Sequence, residues 1–211
     1  MKKINFDKKK IKVAIFDFDD TMYNISTWKN WAPYVEKMLI KLLGSKAKAE
    51  KFIVKHNINY MTNGQGIAVA MINEFGSAEN MRKYLYDNIF DIWEDAEIVG
   101  LSSDDFAPIR NKYKMYVASN SQTNHVFEHM KKVGIDVSMF EGVYQNDFIK
   151  ENPTKQIAYK QILERENIRP EEAVMIGDSF ANDIVPAVEL GMQGVWIECL
   201  DDVRKIISLL K

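Results

Sequence analysis

The sequence predicts an α/β protein: a three-layer core of parallel strands covered by helices, with a small all-helical insertion. Three observations lead there. Five short segments are β-rich, and most of them are near-continuous apolar runs, the pattern of strands buried on both faces of a parallel sheet. From about residue 105 onward these runs alternate with helical segments, as in a helix-covered sheet. Between about residues 22 and 104 the alternation stops and helical patterns dominate.

The predicted strands cover residues 11–16, 114–118, 142–144, 173–176 and 194–197. The helices between the later ones cover about 123–133, 154–166, 182–190 and 201–210. Pro170 suits the first position of a short helical turn before a strand, and Gly191 stands where a helix should stop. Within the insertion, helices are expected at about 25–43, 46–56, 65–75 and 78–93. Gly44, Asn63-Gly64 and Gly76 mark the joints, and Ser77 is an N-cap candidate. The predicted division is therefore a core of residues 1–21 and 105–211 and a helical cap of residues 22–104. The break falls directly after the first strand, and ligands in open α/β sheets bind at the carboxyl ends of strands. An insertion there is placed to act as a lid.

Charge divides the insertion. Residues 22–59 hold seven lysines against two glutamates, and residues 60–104 hold two basic against eight acidic residues. Opposite halves suit helices packed side by side, and equally suit ordinary solvated faces. Trp28, Trp31, Tyr34, Tyr60, Tyr84 and Trp93 make the insertion rich in aromatics, which are expected mostly as bundle core.

The 211 residues suit one core domain with an insertion, and 46% apolar and 27% charged residues are ordinary for a globular enzyme. A formal charge of −2 gives no global positive field, so neither a nucleic acid polymer nor an anionic membrane is expected as partner. A lone cysteine, Cys199, forms no intrachain disulfide and is expected as a packing residue in a cytoplasmic protein. The basic N-terminal stretch has no apolar run of signal-peptide length. Asn24-Ile25-Ser26 matches the glycosylation pattern but carries no weight without secretion. Oligomeric state is not legible.

Four segments carry chemistry. The first strand ends in Asp17-Phe18-Asp19-Asp20-Thr21, three acids within four residues. Clustered carboxylates repel one another, and a hard cation such as magnesium relieves the penalty. The bland alternative is an acidic turn capping the next helix. A second apolar strand runs into Gly177-Asp178-Ser179, with Asp183 five residues later near a helix start. Helix-dipole stabilisation accounts for Asp183 well and for Asp178 poorly. A third strand ends in Ser119-Asn120-Ser121, donors that can hold phosphate oxygens or simply cap a helix. The fourth is Lys150, in a loop before a helix.

Acid, hydroxyl, lysine and acid in that order resemble the haloacid dehalogenase-like hydrolase superfamily. Its Asp-x-Asp-x-Thr motif is matched by Asp17, Asp19 and Thr21. Its Ser/Thr strand end is matched by Ser119 with Asn120, and its Gly-Asp-Ser motif with a second acid by Gly177, Asp178, Ser179 and Asp183. Lys150 takes the lysine position, although Glu151 stands where the family often has proline and the preceding loop is short. Lys155 is therefore a second candidate.

The resemblance implies a Rossmann-like core and a magnesium-dependent phosphomonoester hydrolase acting through an aspartyl phosphate. Asp17 is the implied nucleophile and Asp19 the acid and base, with Thr21 positioning the loop. Ser119, Asn120 and Lys150 are implied to bind phosphate. The implied metal site comprises Asp17, Asp178, the main-chain carbonyl of Asp19 and, through water, Asp183. An acid at position 19 favours phosphoester chemistry over dehalogenation, because halide leaves without a proton. The implied substrate is a small phosphorylated metabolite: a nucleotide monophosphate, a sugar phosphate or phosphoglycolate.

Two other functions use similar parts. A phosphomutase would use the same core to return the phosphoryl group to a sugar phosphate. A non-enzymatic receiver domain would place its phosphorylated aspartate on a middle strand of a shorter chain. Separately, His125-Val126-Phe127-Glu128-His129 matches the inverted zinc-protease motif, with both histidines on one helix face. The position of that helix just after Ser119 explains them without zinc.

Overall fold

The structure is a computed structural model that describes residues 1–25, 36–37, 39–57, 70, 73–74, 98–121, 123–145 and 154–211. The chain divides into two compact units, Met1–Asn24 with Ile98–Lys211, and Ile25–Glu97.

In chain order the strands and helices of the first unit begin with β1 (Lys2–Ile4), β2 (Val13–Phe16) and β3 (Tyr23–Ile25, running into the second unit). After helix α1 (Lys46–Lys55) of the second unit come β4 (Ile98–Gly100), α2 (Ser103–Phe106), β5 (Lys114–Ser119) and α3 (Thr123–Val133). The chain closes with β6 (Gly142–Gln145), α4 (Gln156–Glu166), β7 (Ala173–Gly177), α5 (Val185–Glu189), β8 (Gln193–Trp196) and α6 (Leu200–Leu210).

Six strands form one sheet in the order β1-β8-β7-β2-β5-β6, parallel except for β1, which pairs antiparallel with β8. All five predicted segments are strands. In β2, every residue is buried because alternate side chains serve opposite faces. Val13 and Ile15 join Tyr116, Ala118 and Met175 under Ala158, Tyr159 and Ile162 of α4 and Ala187 of α5. Phe16 faces the other way and meets Phe106 and Phe140 edge to face, at centroid distances of 5.3 and 6.3 Å. Each such fully buried side chain contributes about 1.5–3 kcal/mol relative to exposure. The mixed, mostly parallel sheet with helices is the predicted Rossmann-like class.

Helix α2 and several other features were not anticipated. The edge strand β1 and the ribbon pairing β3 with β4 are each made of three-residue strands. The predicted helix at 182–190 begins instead as a π-turn, Phe180–Ile184, which leads into α5. Pro170 does open a short 3-10 turn, and Gly191 ends a helix at φ +85°.

In the second unit, α1 matches the predicted helix at 46–56. Ser45 caps it by accepting the Lys48 N–H, and Ala49 and Phe52 form its buried side. Residues 36, 37 and 39–43 are helical, and Gly44 ends that stretch at φ +81°. Lys55 and His56 both pair with Glu74. The helices predicted at 65–75 and 78–93, the remaining joints, Ser77 and the six aromatic residues named above lie wholly or mainly outside the described residues. No helix among the described residues is long and apolar enough to cross a membrane.

Candidate active site

Parallel pairing decides where the functional side chains meet. Phe16 lies level with Val117 on one side and Ile176 on the other. The carboxyl ends of β2, β5 and β7 therefore share one edge, and Asp17, Ser119 and Asp178 follow from it. The Asp17 N–H still donates to Ile176, at 2.9 Å, so its backbone is held by the sheet. At the next residues the chain turns. Asp20 adopts a left-handed conformation, φ 59°, and the N–H groups of Thr21 and Met22 both donate to the Phe18 carbonyl. This turn brings Tyr23 back alongside Asp19.

Asp17, Asp178 and Asp183 form an acidic cluster, with one carboxylate oxygen from each lying within 4.8 Å of the others. Asp17 and Asp183 are buried. Burial and the neighbouring Asp183 push Asp17 well above the ordinary carboxylate range, against the pull of Lys155. Burial and Asp183 likewise raise Asp178. Burial, with Asp178 and Asp19, pushes Asp20 up to about 6.

Lys155 answers part of this repulsion. Its ammonium group, 3% exposed, bonds Asp17 and lies 2.6 Å from Asp183 Oδ1. Burial alone would lower its affinity for a proton; Asp17 and Asp183 overcome that and raise it. Among the described residues, three ionised carboxylates against one ammonium leave a balance of −2 (−3 + 1), which a divalent cation neutralises. The donor set is all oxygen, as magnesium requires. The cluster therefore fits a hard dication.

The π-turn holds Asp183 in place. Its N–H donates to the Ser179 carbonyl, and its Oδ2 accepts the Ser179 N–H, each at 2.9 Å. π-turns often occur at functional positions. Gly177 is required for this approach, because a Cβ there would overlap the Asp183 carboxylate. Thr21, fully buried, accepts the Asp178 N–H at 3.2 Å, and its hydroxyl lies within 3.4 Å of Asp17 Oδ2 and 3.3 Å of Asp178 Oδ1. The Trp196 indole N–H donates to the Asp178 carbonyl at 2.7 Å.

The Asp19 carboxylate is not a member of the acidic cluster and has partners of its own. Tyr23 donates to its Oδ1 at 2.5 Å, Ser121 to its Oδ2 at 2.6 Å, and the Ser119 hydroxyl lies 3.3 Å from Oδ2. Burial raises Asp19, but hydrogen bonding and attraction from His125, with Ser121 and Tyr23, hold it well below the ordinary range. The two histidines of the His-x-x-Glu-His segment face inward and Glu128 faces solvent. His125 Nε2 lies 3.6 Å from Asp19 Oδ1, and the His129 ring stacks on Tyr23.

The structure thus gathers Asp17, Asp19, Thr21, Ser119, Asp178 and Asp183 at one sheet edge. Asn120 follows Ser119 there and is half-buried. Lys150 lies outside the described residues. Tyr23 was missed because it was read as the start of the helical insertion; its position two residues after Thr21 was the available signal.

The sequence profile of the haloacid dehalogenase-like hydrolases matches residues 11–191. A glyceraldehyde 3-phosphate phosphatase of Pyrococcus furiosus is 25% identical over 218 residues, covering 90% of this chain and 82% of that protein. Two solved structures share the fold. One is a predicted phosphoglycolate phosphatase from Haemophilus somnus, with TM-score 0.63, 15% identity, and 96% and 99% of the two chains covered. The other is a Bacteroides thetaiotaomicron enzyme in complex with magnesium and inorganic phosphate, with TM-score 0.54, 19% identity, and 90% and 95% covered. The chain belongs to the haloacid dehalogenase-like hydrolase family.

Proposed function

We propose that this hydrolase is a magnesium-dependent phosphomonoesterase that works through an aspartyl phosphate on Asp17. The observation that carries the reading is the setting of Asp17. It is a buried carboxylate at the end of a central strand, bonded to Lys155, beside Asp178, with a second acid two residues on.

In the first step a carboxylate oxygen of Asp17 attacks phosphorus. The bond from phosphorus to the ester oxygen breaks, and that oxygen leaves with a proton from Asp19, which is ionised in the free enzyme and takes that proton up as the anionic ester binds beside it. In the second step Asp19, now ionised, takes a proton from water. The water oxygen attacks phosphorus, the bond to Asp17 breaks, and inorganic phosphate departs. Splitting the reaction this way replaces one difficult displacement with two easier ones. Acid–base help of this kind contributes about 10²–10⁴-fold.

Magnesium, held by Asp17, Asp178 and the Asp19 carbonyl with support from Asp183, would supply positive charge that lets an anionic nucleophile meet an anionic phosphate. Ser119 and Asn120 would orient phosphoryl oxygens. The phosphate-binding cation is assigned to Lys155, a reading supported by its contacts to Asp17 and Asp183. Residues 22–104 would act as the substrate-selecting cap, a reading in line with the compact unit of residues 25–97.

The substrate is assigned to small phosphorylated metabolites. The likeness to a glyceraldehyde 3-phosphate phosphatase favours a three-carbon sugar phosphate as the first class to try. Cys199 is exposed at the start of α6 rather than packed as the sequence suggested, and a lone cysteine suits work in a reducing cytoplasm.

The test measures release of p-nitrophenol from p-nitrophenyl phosphate, with magnesium and with chelator, by wild type and Asp17→Asn. Magnesium-dependent release that disappears in the variant supports the mechanism. Near-normal turnover by folded Asp17→Asn rules it out.

A further inference from the structure

Asp19 is held on both carboxylate oxygens. The Tyr23 hydroxyl reaches Oδ1 from the turn after β2, and the Ser121 hydroxyl reaches Oδ2 from the loop after β5. Ser119 braces the second donor, since its Oγ accepts the Ser121 N–H at 2.9 Å.

Tyr23 is itself fixed. Its side chain is 3% exposed, its ring lies 4.7 Å from that of Phe18, and His129 stacks on it at 5.1 Å. The His125 Nε2 lies 3.4 Å from the Tyr23 hydroxyl. That hydroxyl spends its one proton on Asp19, so its oxygen is left to accept from His125. Behind it, the His129 Nδ1–H donates to the residue-125 carbonyl at 2.9 Å. Gly100 makes room for this packing: a Cβ there would lie 3.1 Å from Tyr23 Cβ and 2.6 Å from Val133.

A phenylalanine at position 23 would fill the same space and bring no buried hydroxyl that needs a partner. The hydroxyl therefore has to be accounted for by what it bonds, and that is the acid.

We propose that Tyr23 and Ser121 are positioning residues for Asp19, one donor on each carboxylate oxygen, with His125 backing Tyr23. The inference rests on Asp19 being the proton donor of the proposed phosphatase. The same two donors favour the ionised carboxylate, so Asp19 gains its proton only as the anionic ester binds, and a carboxyl group then free to rotate about its side-chain bonds would present that proton to the ester oxygen only part of the time. Two donors fixed on two separate segments remove that freedom. Misplacement of a reacting group by about 1 Å can cost 10²-fold in rate.

The readout is leaving-group dependence, which loss of fold or of substrate binding would not change. A weakly basic p-nitrophenolate leaves with little help, whereas a more basic phenolate needs the proton. The experiment measures kcat/KM on a series of para-substituted phenyl phosphates with magnesium. The proteins are wild type, Asp19→Asn, Tyr23→Phe, Ser121→Ala and Ser121→Thr, each checked for folding by circular dichroism.

Tyr23→Phe and Ser121→Ala are expected to lose about tenfold or more with phenyl phosphate and under about threefold with p-nitrophenyl phosphate. Their dependence on leaving-group basicity steepens toward that of Asp19→Asn, and Ser121→Thr, which keeps the hydroxyl, stays near wild type. Should Tyr23→Phe not fold, the Ser121 pair decides alone. Variants that retain the wild-type dependence overturn the inference and leave the phosphatase reading intact. A wild type inert toward the whole series overturns both.

Discussion

Lys155 Nζ lies 2.6 Å from Oδ1 of Asp183, a side chain with no exposed surface, and the same ammonium group bonds Asp17. One cation thus joins the strand end that carries the proposed nucleophile to the π-turn that follows β7. Lys155→Met should lower kcat/KM on p-nitrophenyl phosphate by about 10²-fold or more, the scale of losing one preorganised charge at a phosphoryl centre. Lys150→Met should stay close to wild type. Loss of one partner from a buried ion pair also costs about 3–5 kcal/mol. Lys155→Met should therefore melt lower than wild type, and by more in chelator than in magnesium. A larger kinetic loss at Lys150 than at Lys155 would reverse the assignment.

These two lysines mark how far the sequence could be read. Strands β2, β5 and β7 were legible because burial on both faces makes each a continuous apolar run. Asp17 and Asp178 were legible because acids placed directly after such runs are costly without a purpose. Lys155 was legible only as a second candidate. Its burial follows from how the start of α4 packs on the sheet, which residue spacing does not reveal. Tyr23 reaches Asp19 through a left-handed turn at Asp20, a relation in space with no periodic signature. Strands of three residues, such as β1, β3 and β4, are too short to display a period at all. The π-turn differs from an α-turn in its hydrogen-bond register, which the identities of residues 180–184 do not announce.

Gly177 faces the Asp183 carboxylate so closely that any side chain must displace it. Gly177→Ala should therefore act on the acidic cluster. The expected result is a loss of activity of about tenfold or more and a higher magnesium requirement, because displaced ligands hold the ion less well. Titrating p-nitrophenyl phosphate turnover with magnesium measures both. An unchanged magnesium dependence would mean that Asp183 shifts without consequence.

Three neighbouring carboxylates repel until something neutralises them, so binding of a dication should register as stability. At about 100 times its dissociation constant a ligand contributes about 2.7 kcal/mol, or roughly 5–10 °C in Tm for a chain of this size. Magnesium should raise the wild-type Tm by that order, and Asp178→Asn should abolish most of the rise. Asp178 is held above the ordinary range by burial and by Asp183, so its ionised form is disfavoured in the fold. In chelator the neutral amide should accordingly melt no lower than wild type. Thermal melts of both proteins, with magnesium and with chelator, measure this. An equal magnesium shift in both would exclude Asp178 as a ligand.

His129 links stability to pH. The ring is 1% exposed, and burial, then His125, pushes it down to about 4 from an ordinary 6.5. Between pH 6.5 and about 4 the unfolded chain takes up a proton at residue 129 that the folded chain refuses. Stability therefore falls as pH drops through that window, and the contribution is constant above and below it. A displacement of this size amounts to about 3 kcal/mol. The acidic cluster titrates in the same region, so the useful quantity is the difference between wild type and His129→Gln. The glutamine does not titrate, and its amide can still donate to the residue-125 carbonyl. Urea unfolding at pH 7, 5.5 and 4 should show wild type losing about 2–3 kcal/mol more than His129→Gln over that range. Parallel pH profiles for the two proteins would mean that His129 is protonated in the fold. Its contact with the residue-125 carbonyl, and the packing behind Tyr23, would then have to be redrawn around a cation.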